Sequence, residues 1–216
     1  DETQRNTPVQ IPGLTNVEKV FAGYGTSVFV LSDGTVKGCG RNTNYILGLS
    51  QETNYTTLQS LPVSNIKQVA INHYEFGLFV KNDGTLMISG NNYYVSRDLL
   101  ATSSNPNKIA ETDIQNVKQV TATQDNALIL KDSGEVYGVG KNSSGELGVG
   151  DTNLYRNPIK INLNNVVSIT GKYHYSMFIL DDNTIKSTGI NYAGQLGVGD
   201  TNGYVSPTTT KINLSE

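Results

Sequence analysis

Asn142-Ser-Ser-Gly-Glu-Leu-Gly-Val-Gly-Asp151 returns as Asn191-Tyr-Ala-Gly-Gln-Leu-Gly-Val-Gly-Asp200, and this recurrence decides how the whole chain is read. A segment repeated at fixed spacing marks a repeat architecture. Upstream of each copy the same order of features appears. In the third unit Val117-Lys-Gln-Val120 leads to Ala127-Leu-Ile-Leu-Lys-Asp-Ser-Gly134 and then Glu135-Val-Tyr-Gly-Val-Gly140. In the fourth, Val166-Val-Ser-Ile169 leads to Ser176-Met-Phe-Ile-Leu-Asp-Asp-Asn183 and Thr184-Ile-Lys-Ser-Thr-Gly189. The first unit holds Val17-Glu-Lys-Val20, Ser27-Val-Phe-Val-Leu-Ser-Asp-Gly34 and Thr35-Val-Lys-Gly-Cys-Gly40. The second holds Ile66-Lys-Gln-Val69, Gly77-Leu-Phe-Val-Lys-Asn-Asp-Gly84 and Thr85-Leu-Met-Ile-Ser-Gly90. The closing glycines Gly40, Gly90, Gly140 and Gly189 lie 50, 50 and 49 residues apart, the period of a four-stranded propeller blade.

Each unit therefore reads as a short apolar strand (A), a second apolar strand (B), a tight turn and a third strand (C). A long polar loop follows and ends in an extended segment (D), such as Pro158-Ile-Lys-Ile161 or Pro207-Thr-Thr-Thr-Lys-Ile212. Asp33-Gly34 and Asp83-Gly84 read as two-residue turns, because both residue types tolerate positive φ. No stretch has a 3.6-residue apolar period, so almost no helix is expected. The fold class is all-β, a propeller-like array of four four-stranded antiparallel blades. A partial repeat, 1–16, precedes blades at 17–65, 66–116, 117–165 and 166–216. Residues 1–11 match 151–161, so Pro8-Val-Gln-Ile11 reads as a surplus D strand. The four repeats are accordingly expected to be a section of a larger propeller, with open blade edges that invite self-association; a closed four-bladed ring with one displaced strand is the alternative. Val20, Val28, Val30, Val69, Leu78, Val80, Val120, Leu128, Leu130, Ile169, Met177 and Ile179 should face neighbouring blades, and Leu147 and Leu196 should anchor their loops.

The two loops, with the preceding B–C turn and closing glycine, resemble the regulator of chromosome condensation repeat. The likeness is strong in units three and four. It is partial in unit one, where Asn42-Thr-Asn-Tyr-Ile-Leu-Gly48 keeps the frame. Unit two departs from it, with Asn91-Asn-Tyr-Tyr-Val-Ser-Arg-Asp98 in place of the Gly-Gln-Leu-Gly core. The resemblance implies a β-propeller, most often seven-bladed, so that four blades would be part of a larger ring; its family members act as exchange factors, chromatin binders, protein-interaction modules or a secreted β-lactamase inhibitor. The composition, rich in Asn, Thr, Gly, Ser and Tyr, points to a bacterial or phage branch.

The totals narrow the function. The 216 residues carry 16% charged side chains and a net charge of −3, with no basic stripe, so nucleic acid is not an expected partner. No run of 18 apolar residues occurs, so no membrane insertion is expected. Cys39 is alone, which leaves no internal disulfide and no Cys/His metal cluster; it reads as a small buried residue. The chain begins at Asp1 without a Met or signal peptide, which reads as a processed or truncated start. Asp151 and Asp200 match neither an EF-hand nor an RTX pattern, so they read as turn formers and no cofactor or metal is expected. His73 and His174, placed in corresponding A–B turns, have no partnered Ser or Cys motif, so no catalytic residue is nominated.

The tyrosines remain. In antiparallel blades the A–B and C–D connections leave from one end. Tyr55, Tyr155 and Tyr204 fall in C–D loops and only Tyr137 reads as a strand residue; of the rest, Tyr24, Tyr74, Tyr173 and Tyr175 fall in or next to A–B loops, and Tyr45, Tyr93, Tyr94 and Tyr192 fall in C–D loops. Tyrosine gives a large, rigid contact area with a polar tip. These eight residues are the candidate binding face, weighed against the alternative that long loops use Tyr as a small core of their own. The reading is a non-catalytic module that binds a protein or cell-surface ligand, in an extracellular, cell-surface or virion setting. A β-lactamase-inhibitor-like propeller and an exchange-factor-like regulator are the alternatives.

Overall fold

The computed structural model describes residues 3–73, 76–90, 95 and 108–209. Sixteen strands form four sheets, each antiparallel and ordered A-B-C-D. Blade 1 contains β1 (Val17–Ala22), β2 (Thr26–Leu31), β3 (Thr35–Gly40) and β4 (Tyr55–Ser64). Blade 2 contains β5 (Ile66–Ile71), β6 (Phe76–Lys81), β7 (Leu86–Gly90) and the two-residue β8 (Ala110–Glu111). Blade 3 contains β9 (Val117–Ala122), β10 (Asn126–Lys131), β11 (Val136–Gly140) and β12 (Tyr155–Lys160). Blade 4 contains β13 (Val166–Lys172), β14 (Tyr175–Leu180), β15 (Ile185–Gly189) and β16 (Tyr204–Thr209). Apart from one 3-10 turn at Thr43–Tyr45, the described residues contain no helix.

The B–C turn is longer than its sequence suggests. β2 ends at Leu31 and β3 begins at Thr35, so three residues connect them. Gly34 sits at φ 83 and its N–H donates to the Leu31 carbonyl at 2.9 Å. This is the hairpin in which a type I turn is completed by a left-handed residue. Asn183 fills the same place in blade 4 at φ 65. The Asp33 carboxylate accepts the Thr35 N–H at 2.9 Å, and Asp83 and Asp182 do the same for Thr85 and Thr184. A second left-handed position recurs at the D–A junction: Asn16, Asn65, Asn116 and Asn165 have φ between 55 and 59. Asn is among the few residues besides Gly that adopt this conformation readily. Both devices turn the chain within a few residues and fix the register of the next strand.

Three apolar cores lie between successive blades. Val28, Val30 and Val36 of blade 1 pack on Ile66, Val69 and Phe79 of blade 2. Leu78, Val80 and Ile88 of blade 2 pack on Val117, Val120 and Ile129 of blade 3. Leu128, Leu130 and Val136 of blade 3 pack on Val166, Ile169 and Phe178 of blade 4. Alternate residues of the B strands of blades 2 and 3 thus serve two different interfaces, as the period of two requires. Polar clasps join the same layers. Gln68 in β5 donates from Nε2 to the Val120 carbonyl at 2.9 Å and accepts the Val120 N–H at 2.9 Å. Gln119 repeats this bond pair with Ile169, at 2.8 and 3.0 Å.

Three expectations need correction. Val20 is 67% exposed, Ile179 is 40% exposed and Met177 is half-buried, because within this chain no blade covers the outward faces of blades 1 and 4. Pro8-Val-Gln-Ile11 forms no strand, and Val9 and Ile11 are exposed. Each sheet already carries its own D strand on its C strand, so this segment has no partner edge. Tyr137 is not alone in a strand: Tyr55, Tyr155, Tyr175 and Tyr204 open β4, β12, β14 and β16. All four lie opposite closing glycines, in the pairs Gly40–Tyr55, Gly140–Tyr155 and Gly189–Tyr204 across the C–D ladder and Gly189–Tyr175 across the B–C ladder.

Candidate functional site

The closing glycine ties the A–B turn to the root of the C–D loop. Gly40, Gly140 and Gly189 adopt φ 97, 109 and 105, and a Cβ there would strike the carbonyl oxygens of Gly25, Asp125 and His174. Only glycine has both the conformation and the room. The next residue then donates its N–H to that same carbonyl: Arg41 to Gly25 at 2.7 Å, Lys141 to Asp125 at 3.0 Å and Ile190 to His174 at 2.9 Å. Both sets of connections therefore belong to one end of the array.

A buried asparagine builds each C–D loop. Asn142 Oδ1 accepts the Leu147 N–H at 2.9 Å, while Nδ2 donates to the Asp151 carbonyl at 2.8 Å. Asn191 makes the same bonds with Leu196 and Asp200, both at 2.9 Å, and Asn42 makes them with Leu47 and Gln51 at 2.8 and 2.6 Å. The loop is drawn around one amide, which seats Leu47, Leu147 and Leu196 in full burial. Asp151 accepts the Asn153 N–H at 2.9 Å and the Tyr155 hydroxyl at 2.7 Å; Asp200 accepts from Asn202 and Tyr204 at the same distances. The Asn153 amide and the Tyr155 hydroxyl hold the Asp151 carboxyl below its ordinary value. In return, the hydrogen bonds to Asp151 and Asp200 raise the Tyr155 and Tyr204 phenols. Among the described residues no group of three His, Cys, Asp or Glu side chains gathers as a metal site.

Tyr24, His73, Gln124 and Tyr173 lie one position beyond the Gly23, Asn72, Thr123 and Lys172 that cap the four A strands. Together with those caps they line a depression of about 350 Å³ where the A–B turns of all four blades meet. Tyr24 is 51% exposed and Tyr173 is 53% exposed. The Tyr24 and His73 rings meet edge-on, with centroids 3.7 Å apart and planes at 81°. The Arg41 guanidinium stands 5.2 Å from the Tyr24 centroid, and the Lys172 ammonium stands 5.9 Å from that of Tyr173. Such cation–ring contacts hold both partners in place. The rim is braced between blades, since Asn72 Nδ2 donates to the Gln124 carbonyl at 3.1 Å.

The eight tyrosines named from the sequence divide. Tyr24 and Tyr173 share the depression. Tyr192 is 76% exposed on the C–D loop of blade 4. Tyr45 is half-buried in the 3-10 turn, and Tyr175 is half-buried opposite Gly189; neither lines the depression. Tyr74, Tyr93 and Tyr94 lie outside the described residues. The two histidines are not equivalent: His73 aligns with Tyr173, whereas His174 places Nδ1 3.5 Å from the Glu146 carboxylate of the preceding blade. Cys39 is half-buried rather than buried, and desolvation pushes its thiol up. Gln124, Lys172 and Arg41 were not singled out by residue type, and His73 was weighed only as a catalytic base and set aside. Position would have found His73 and Gln124, because 24, 73, 124 and 173 keep the blade period.

Residues 17–46 and 117–146 match the Regulator of chromosome condensation (RCC1) repeat, and a second alignment matches it over 133–179. A mouse protein described as probable E3 ubiquitin-protein ligase HERC4 is 30% identical over 171 residues, covering 76% of this chain and 16% of its own length. Human WBSCR16 superposes with a TM-score of 0.78 at 22% identity, over 91% of this chain and 53% of its own. Yeast RCC1 (Prp20), solved bound to Kap60, gives 0.81 at 17% identity, over 98% and 52%. The chain thus spans about half of these solved relatives and a smaller part of the mouse protein. These relatives are eukaryotic, and the bacterial or phage branch expected from composition finds no support among them. Residues 17–46 and 117–179 are thus regulator of chromosome condensation repeats, in a chain folded as an array of four β-propeller blades.

Proposed function

We propose that the array is a non-catalytic protein-interaction module whose contact surface is the end bearing the A–B turns and C–D loops. The depression at the meeting of four turns carries this reading. It combines half-exposed Tyr24 and Tyr173 with a rim braced by hydrogen bonds between blades. Exposed aromatic side chains on a preorganised frame gain contact area at low entropic cost. The Tyr155 and Tyr204 hydroxyls are engaged by Asp151 and Asp200 of their own loops, whereas Tyr24, Tyr173 and Tyr192 are exposed and offered outward. A protein partner is in keeping with yeast RCC1, whose structure was solved bound to Kap60.

Site-directed photo-crosslinking tests the surface. A photoreactive phenylalanine analogue is placed at Tyr24, Tyr173 or Tyr192, and for comparison at Ser32 or Asp132 in B–C turns at the opposite end. In extract from the source cells, discrete protein adducts are expected from the first set alone. Adducts from the B–C turns, or none from the tyrosine positions, would reject this surface.

A further inference from the structure

We infer that the depression receives a carboxylate side chain from an acidic loop of the protein partner. This deepens the function proposed above and rests on it. The charge pattern at the turns carries the inference. Among the described residues the lining contains Lys172 but no Asp or Glu, although the chain as a whole has a net charge of −3. The sign at the mouth is therefore inverted relative to the molecule, and concave sites focus such local potential.

The blade register shows how the inversion arises. In blade 3, Asp125 follows the turn residue Gln124 and faces Lys141 at 3.4 Å, so this blade neutralises its own cation. The corresponding position holds Gly25 in blade 1 and His174 in blade 4. His174 is turned toward the buried Glu146. Lys172 instead extends along Tyr173, which positions its ammonium at the rim. Arg41, over Tyr24, places a second cation on the adjoining groove that Tyr24 and Tyr55 also line.

The walls select a protein acid over a diffuse anion. Ile71 and Ala122 form an apolar floor between Tyr24 and Tyr173, suited to the methylenes of Glu or the flanks of a loop. A volume of about 350 Å³ lies at the small end of ligand sites, room for one or two side chains rather than a folded segment. A charge pair formed in this partly enclosed place is screened less than one on open surface.

The test uses fluorescence anisotropy with a labelled Gly/Ser peptide bearing a run of Glu, and its Gln counterpart. The Glu peptide is expected to bind and the Gln peptide to fail. Lys172→Gln, or Arg41→Gln, is expected to weaken the Glu peptide about tenfold. Lys118→Gln, near the far end of β9, should leave binding unchanged. Equal binding of both peptides, or unaltered binding by Lys172→Gln, overturns the inference. So does a labelled oligothymidylate that binds with the same dependence on Lys172, which would assign the mouth to nucleic-acid phosphate. If Tyr24 and Tyr173 yield protein crosslinks while the Glu peptide fails, the acidic occupant is wrong and the surface stands. If neither is seen, both fall.

Discussion

The side-chain amide of Gln119 grips the backbone of Ile169 in the next blade, donating to its carbonyl at 2.8 Å and accepting its N–H at 3.0 Å. Gln68 does the same to Val120. In blade 1 the equivalent residue is Lys19, which pairs with its neighbour Glu18. Replacing Gln119 by Leu strands two backbone groups near a buried interface and is expected to cost about 1–3 kcal/mol. Lys19→Gln should install the missing clasp on Val69 and gain about 0.5–1.5 kcal/mol. Urea unfolding followed by circular dichroism measures both; a Gln119→Leu protein as stable as the parent would show that the clasp contributes nothing.

Val20 and Val120 hold the same place in their blades, yet one is 67% exposed and the other 2%. Val120→Ala removes two buried carbon groups from the core between blades 2 and 3 and should cost about 2 kcal/mol. Val20→Ala should stay within about 0.5 kcal/mol of the parent. Equal losses in the same unfolding experiment would mean that the outer face of blade 1 is covered.

Acid and alkali should act on different parts of the blades. The Asp33, Asp83, Asp151 and Asp182 carboxyls are all held below their ordinary value, Asp33 and Asp182 chiefly by the Thr hydroxyl two residues on, and Asp83 and Asp151 chiefly by backbone N–H groups. A lowered folded value stabilises the protein above the free carboxylate range near pH 4 and is lost as pH falls through the folded values. Tyr155 and Tyr204 have the opposite sign, so their contribution is present below about pH 10 and lost as pH rises through the raised values. Asp151→Asn should flatten the acid limb, and Tyr155→Phe should flatten the alkaline limb. Thermal melts across pH read this out; unchanged limbs would remove these bonds from the account.

Asn142 is the pivot of its loop, 1% exposed and bonded to Leu147 and Asp151. Asn142→Ala leaves the buried Leu147 N–H without its acceptor and is expected to cost about 1–3 kcal/mol. The loop 143–153 should then become the first site of limited proteolysis. Protection equal to the parent would show that Leu147 alone holds the loop.

The blades were legible because their signals are local and repeated. Closing glycines, Asp-Gly turns and the Asn-to-Asp loops each need only a few residues to declare themselves, and together they fix the four-blade array. Ile179 and Val20 misled because sequence gives the apolar face of a strand but not whether a neighbour covers it. The B–C turn was shortened because its first residue, Ser32 in blade 1, carries no turn signal that sets it apart from the strand before it. At the candidate site, Tyr24 and Tyr173 stood out by type. His73, Gln124 and Lys172 join them only through the meeting of four turns that are far apart in sequence. Lys172 in particular gains its meaning from Asp125, whose counterpart its own blade lacks.

The three apolar cores each join two blades and no more. Energy in such an array passes only between nearest neighbours, as in a row of coupled spins rather than a single globule. Among the described residues blades 2 and 3 are held on both faces and blades 1 and 4 on one, so in this four-blade array melting should advance inward from blades 1 and 4. The blade 1–2 junction, without a glutamine clasp, is the weakest coupling and the first to part. A single melting temperature would then average over several transitions, and hydrogen exchange resolved by blade would show protection highest in β6 and β10.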